Sequence, residues 1–165
     1  MLEVKAEVKA QRRPVNERKG EAWISERHRL WGWDSPFCDN DWVGVEYNNS
    51  EPVAVTMYAE WKREGERPLS DSNKKVLQEM ARCPKCGFAR PLFLITYRPP
   101  ADYDPQKEGC FKIEPLNKAA EKYVDKLLIE HWFLDEEYHA WLYEIRGRVA
   151  RDVGIIPDFL RKKGV

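Results

Sequence analysis

Three side chains in this sequence have the types and the spacing to do chemistry together. Glu60 and Lys62 stand two residues apart in "MYAEWK" (57–62), and Asp41 heads "DWVGVEY" (41–47). Alternate residues of a strand project to one face, so Glu60 and Lys62 stand together while Trp61 points the other way into packing. If 41–47 and 52–62 are the arms of a hairpin, the start of the first lies beside the end of the second, and Asp41 meets Glu60 and Lys62. Two carboxylates and a backbone carbonyl, here that of Trp61, form a half-shell of hard oxygen donors for Mg²⁺ or Mn²⁺, which keeps waters in its remaining positions. Such a cation polarises a phosphoryl oxygen and acidifies a water, while Lys62 positions that water or offsets charge developing on the phosphate. The chemistry is phosphodiester hydrolysis. Asp39, two positions earlier on the same strand face, competes for the ligand role; Asp41 is favoured because the alternating apolar run starts immediately after it. The plain alternative is a surface hairpin ending in a cross-strand Lys–carboxylate pair, worth about 0.2–1 kcal/mol. Against it, the residues from Val53 to Tyr58 are apolar or weakly polar, which implies a central strand whose end opens into a cleft.

The elements that must position this trio follow from periodicity. "PVNERKGEAWISERHRL" (14–30) carries Val15, Ala22, Trp23, Ile24 and Leu30 at loosely helical spacing, weakened by Gly20. "NNSE" supplies turn residues between the two hairpin strands. "NKKVLQEMAR" (73–82) reads as a helix with Val76, Leu77 and Met80 on one face. "PLFLITYRP" (91–99) is a continuous apolar run, predicting a strand covered on both faces. "CFKIEP" is a short strand, "NKAAEKYVDKLLIEHWF" (117–133) a helix capped by Asn117, and "LDEEYHAWLYEIRGRVARD" (134–152) a last helix beginning near Leu134 or Asp135. The order is helix, hairpin, helix, strand, strand, helix, helix. Residues 1–13 read as a flexible basic arm, 14–150 as a single domain, and 151–165 as a basic tail.

With 165 residues, 42% hydrophobic residues and seven Trp, the chain is long and apolar enough for a real core. Net charge is zero, but residues 31–145 hold 14 Lys/Arg against 21 acids and the ends carry the basic excess. Arg12, Arg13, Arg18, Lys19, Arg27 and Arg29, with Arg146, Arg148, Arg151 and Arg161–Lys163, are candidates to clamp a phosphate backbone; the plain reading of each run is a solvated face. Lys74 and Gln78 are further candidates to reach the phosphate. No run approaches the roughly 18 apolar residues of a membrane helix, and "MLEVKAEVKAQRR" lacks the apolar stretch of a signal peptide. No membrane partner and a cytoplasmic location are expected. There, Cys83 and Cys86 in "CPKCG" suit half of a structural Zn²⁺ site; a hairpin of 91–97 with 110–114 leaves Cys110 roughly 20 Å from that knuckle, so only Cys38 or a histidine (His28, His131 or His139) would complete it, by tertiary approach. Trp31 and Trp33 could stack on a base; Trp42, Trp132, His131 and His139 are read as packing residues.

The stretch "CDNDWVGVEYNNSEPVAVTMYAEWK" (38–62), with "RPLFLITYRP" and "FKIEPLNKAA" downstream, resembles the PD-(D/E)xK (restriction-endonuclease-like) nuclease superfamily, and within it small phage or prophage proteins of unassigned role. The motif there is an Asp at the start of one strand and Glu/Asp-x-Lys on the next. The resemblance spans roughly residues 20–120, and Asn40 stands where the pattern has Pro. It implies an α/β (α+β) fold with a restriction-endonuclease-like core: N-terminal helix, central mixed sheet built on a hairpin, helix, strands and C-terminal helices. It further implies a Mg²⁺-dependent deoxyribonuclease, an endonuclease rather than an exonuclease, acting on DNA in recombination, repair or processing within a bacterial host. Asp41 and Glu60 would bind metal and Lys62 would assist the water. Members often add a Glu from the first helix, for which Glu26 and Glu21 both stand as candidates. Two cuts in a duplex need two sites, which suits a homodimer. The competing class is a non-catalytic DNA- or protein-binding module on the same fold with a structural zinc knuckle.

Overall fold

The computed structural model describes residues 19–20, 22–24, 26–27, 43–48, 51–84, 87–125, 128–152 and 154, and for 43–48, 51–54 and 56 the backbone alone. The protein is α+β, with a mixed, open sheet of order β1-β2-β3-β4-β5. The described residues within 19–27 are helical and form α1. β1 (Val43–Asn48) and β2 (Glu51–Arg63) make the hairpin, α2 (Asp71–Met80) follows, and β3 is Leu92–Arg98. Then come β4 (Cys110–Pro115), the one-turn α3 (Lys118–Glu121), β5 (Phe133–Leu134) and α4 (Asp135–Asp152).

β2 and β3 are parallel, and every other neighbouring pair is antiparallel. A parallel pair needs a crossover, and α2 supplies it. Ser70 caps α2, its side chain accepting from Asn73 N–H. The hairpin register starts at Asn48↔Glu51, which leaves two residues for the turn, and ends at Val43↔Tyr58. Irregularities between Gly44 and Val45 and between Glu46 and Tyr47 insert two extra residues on β2. An unbulged ladder from the same turn would set Val43 opposite Thr56, so the bulges slide the head of β1 two residues toward Glu60.

The main core lies on one face of the sheet. Met57, Ala59, Phe93, Ile95, Tyr97, Phe111 and Ile113 project there against Tyr138, Leu142, Ile145 and Val149 of α4. Trp23 of α1, 1% exposed, lies between Tyr97 and Phe111 with ring centroids 6.1 and 6.0 Å away. Its indole N–H donates to Asp104 O at 3.1 Å. Arg27 locks α1 to the start of α4: Nε and Nη2 donate to Asp135 Oδ2 at 2.9 and 2.5 Å, and Nη1 to Pro105 O at 2.8 Å. The second face holds a smaller cluster of Ala81, Leu92 and Leu116, with Tyr58, Leu69, Leu77 and Leu94 packed on it.

Three expectations need correction. β3 is not covered on both faces along its length: Leu92 is buried, Leu94 and Thr96 are half-buried and Arg98 is exposed, because α2 packs only over the Leu92 end. On α2 itself Leu77 faces that cluster, while Val76 and Met80 are exposed. The helix expected over 117–133 stops at Glu121. Its apolar spacing is helical, but the start of β4 offers an open edge, and Phe133 pairs there with Phe111 and sinks into the core. A continuous helix would carry Phe133 away from that edge, so tertiary pairing overrides local propensity. The Asn117 cap is nevertheless present, its side chain accepting from Ala120 N–H at 3.0 Å.

Candidate functional site

β2 puts Glu60 and Lys62 on the second face of the sheet, as strand alternation requires, with Tyr58 beside them. Lys62 Nζ lies 3.8 Å from Glu60 Oε1, and the two side chains are 25% and 18% exposed. Trp61 points to the main core, where its indole N–H donates to the buried Tyr138 hydroxyl at 2.9 Å. The pair is therefore neither a free surface ion pair nor a sealed one; it is half-open on the sheet face that also carries Tyr58 and Leu94.

Backbone direction bears on the third donor. Tyr58 N–H donates to Pro91 O and Glu64 N–H to Tyr97 O, both at 2.8 Å. Even-numbered residues of β2 thus turn their amides toward β3, and by alternation the N–H and C=O of Trp61 point to the β1 side. The described part of β1 ends at Val43, opposite Tyr58, two residues short of Glu60. Glu60 and the Trp61 carbonyl are hard oxygen donors, which fit Mg²⁺ rather than a soft-ligand metal. Asp41 and Asp39 lie outside the described residues, as do Glu21 and Cys86. Among the described residues no three of His, Cys, Asp or Glu gather closely enough to hold a metal ion.

Glu26 is half-buried on α1, the helix whose Trp23 packs on the opposite face, so it and the Glu60–Lys62 pair come from different layers. Cys83 is half-buried in the knuckle, where its N–H donates to Phe88 O and its carbonyl accepts from Gly87 N–H. Cys110 pairs with Arg98, whereas the knuckle adjoins the start of β3 through Arg90 N–H to Ala81 O. Six residues of strand, about 20 Å, separate those ends, so Cys110 does not complete a zinc site with Cys83.

The basic residues split. Arg146 is buried on α4, and Arg27 is committed to Asp135 and the Pro105 carbonyl. Arg148 donates to the Lys122 carbonyl at 3.0 Å. Arg27 and Arg146 are thus turned inward, while the Arg148 side chain remains 40% exposed; Lys19 and Arg151 are exposed, and Arg12, Arg13, Arg18, Arg29 and Arg161–Lys163 lie outside the described residues. The Gln78 amide N–H donates to Leu116 O at 2.6 Å, so Gln78 serves the α2–sheet junction. Trp132 is not core: the Arg98 guanidinium sits 4.3 Å over its ring.

Sequence reasoning missed a second pair of charges. The registers align Glu60 with Leu94 and Glu114, and Lys62 with Thr96 and Lys112, across β2, β3 and β4. Two strand spacings, about 10 Å, separate the outer members of each row. Lys112 Nζ donates to Glu130 at 2.8 Å, and that bond holds its pKa above the usual lysine value. Lys-x-Glu at 112–114 was visible in the sequence as a pattern, but only the register shows that it mirrors Glu60 and Lys62. No protein-family model matches this chain, and neither a curated protein nor a solved structure matches it significantly. No helix among the described residues is long and apolar enough to cross a membrane.

Proposed function

We propose that the protein is a metal-dependent nuclease that hydrolyses phosphodiester bonds in DNA, on a restriction-endonuclease-like core. The observation that carries the reading is the half-open pairing of Glu60 and Lys62 at the end of a central strand, with the Trp61 carbonyl turned to the edge from which β1 arrives. The order helix, hairpin, crossover helix, parallel strand supports it. So do the two bulges, which bring the head of β1 toward Glu60. In this reading Glu60, the Trp61 carbonyl and Asp41 hold Mg²⁺ or Mn²⁺. Bound there, the cation supplies positive charge to a phosphoryl oxygen and acidity to a water. Lys62 orients that water by donating to it, and its ammonium offsets the charge that grows on the phosphate. The sheet floor of Leu94 and Thr96 limits solvent on one side. A homodimer would supply the two sites that cutting both strands of a duplex requires.

The test is cleavage of single-stranded, nicked, branched and duplex DNA by purified protein with Mg²⁺ or Mn²⁺, beside Glu60→Gln and Lys62→Met. Each variant is expected to lower the rate by about 100-fold or more while remaining folded. Asp41→Asn set against Asp39→Asn identifies the second carboxylate as the one whose loss abolishes metal-dependent cleavage. No cleavage of any substrate by the wild type, or undiminished cleavage by Glu60→Gln and Lys62→Met, overturns the proposal and leaves the binding-module reading.

A further inference from the structure

At the carboxyl ends of the parallel strands β2 and β3, just beyond Lys62, lies an open cleft of about 320 Å³ lined by Arg63, Glu64, Arg98 and Tyr103 with a rim of Pro99 and Pro100. Carboxyl ends of parallel strands are where open sheets collect ligands, because connecting loops diverge there. Three features of this cleft go beyond the nuclease motif. First, Arg98 is preorganised. Its Nε and Nη2 form a fork on Glu64, each at 2.5 Å, and the guanidinium rests 4.3 Å over the Trp132 ring. Nη1 lies outside that fork and keeps its two N–H donors for something else. Second, Tyr103 accepts from Arg63 Nη1 at 3.1 Å through its hydroxyl, so its own phenolic proton remains to be donated. Third, Tyr103 has φ 57°, the left-handed region, where a bulky side chain is uncommon and strain collects at ligand sites. A planar guanidinium and a phenol converging on one open cleft match the oxygens of a phosphate diester.

We infer that Arg98 and Tyr103, with Arg63 behind Tyr103, form a subsite that binds a backbone phosphate of a nucleic-acid strand remote from the one cleaved. The substrate assignment rests on the nuclease reading; the phosphate site does not. Four residues, three of β2 and Glu64 just past its end, carry the chain from Glu60 to Glu64, about 13 Å if extended, which is about four rises of 3.4 Å along a duplex. The strand would run along β2 from the Glu60–Lys62 pair to this cleft. The Glu64 carboxylate does not prevent this. Its pairing with Arg98 uses Nε and Nη2 alone and leaves Nη1, and both partners are exposed, 45% and 48%, so solvent screens the carboxylate from a phosphate at Nη1.

The experiment is binding of inorganic phosphate and of a labelled duplex and single strand to the full chain carrying Glu60→Gln, compared with the same chain bearing Arg98→Gln or Tyr103→Phe, across about 50 to 200 mM salt. Tyr103→Phe removes only the hydroxyl, and thermal melts of both variants verify folding. The expected result is a 5- to 10-fold weaker oligonucleotide affinity for each, roughly as one contact of about 1–1.4 kcal/mol predicts, with the salt slope of Arg98→Gln reduced by about one. Weaker phosphate binding in both variants is expected as well. Unchanged affinity and salt slope in folded variants overturns the subsite, even if the wild type cleaves DNA. Loss of phosphate binding in the variants of a protein that cleaves no DNA sustains the subsite and removes the nuclease reading.

Discussion

Gly109→Ala probes how α1 is held against the sheet. An ideal Cβ at Gly109 would lie 2.4 Å from Trp23 Cη2, 2.8 Å from Trp23 Cζ2 and 2.8 Å from the Arg98 carbonyl oxygen. Carbon atoms in contact ordinarily sit about 3.5–4.0 Å apart, so something must move by about 1 Å. The carbonyl cannot give cheaply, because Arg98 and Cys110 form the last pair of the β3–β4 ladder. Nor can Trp23, which is stacked between Tyr97 and Phe111 and bonded to Asp104 O. Overpacking a tight core costs about 1–3 kcal/mol, and a clash with both a backbone and a trapped ring puts this one near 3. At about 2–4 °C per kcal/mol for a domain of this size, Tm falls by about 6–12 °C. Thermal melts followed by far- and near-ultraviolet circular dichroism measure it. The mechanism is checked by Trp23→Phe: the smaller ring leaves room, so Gly109→Ala costs less in that background than alone. A Tm unchanged within about 2 °C, or strictly additive costs, would refute the reasoning.

Asp135 is buried, receives the Arg27 fork, and accepts from Gly109 N–H at 3.3 Å. Asp135→Ala removes the carboxylate that neutralises a largely buried guanidinium and should cost about 3–5 kcal/mol in urea unfolding, with the double change Arg27→Met and Asp135→Leu costing less than the single one; a single-variant loss under about 1 kcal/mol contradicts that account. Burial pushes the Tyr138 phenol well above the ordinary tyrosine value of 10.0. A raised folded pKa means that the unfolded chain loses this proton first, so the contribution is whole below pH of about 10 and declines as pH rises above it, at up to about 1.4 kcal/mol per pH unit. Urea unfolding between pH of about 9 and 12 should show a smaller decline for Tyr138→Phe than for wild type; equal slopes would exclude Tyr138 as the source.

Several elements were legible because their signals are local. Asn117 is a cap at the position where a side-chain oxygen can reach a free N–H. β4 and α4 follow "CFKIEP" and "LDEEYHAWLYEIRGRVARD" nearly residue for residue. Around Glu60 the period of two was enough to put Lys62 on the same face and Trp61 on the other. What was not legible depends on partners far away in sequence. The Arg27 and Arg146 charges looked like surface, yet Arg27 is tied to Asp135 and Arg146 is buried on α4. Residues 122–132 have the spacing of a helix, yet the open edge of β4 takes Phe133 first.

The sequence by itself determined which side chains alternate on β2 and hence that a carboxylate and an ammonium share one face, because strand geometry is a property of each residue and its nearest neighbours. Only the tertiary structure decided what surrounds them. Two bulges set where the hairpin partner begins, the parallel pairing with β3 turns the Trp61 carbonyl toward that partner, and the registers bring Lys112 and Glu114 into line across the sheet. Those choices come from strand pairing and core burial between segments tens of residues apart, whose energies no local pattern contains.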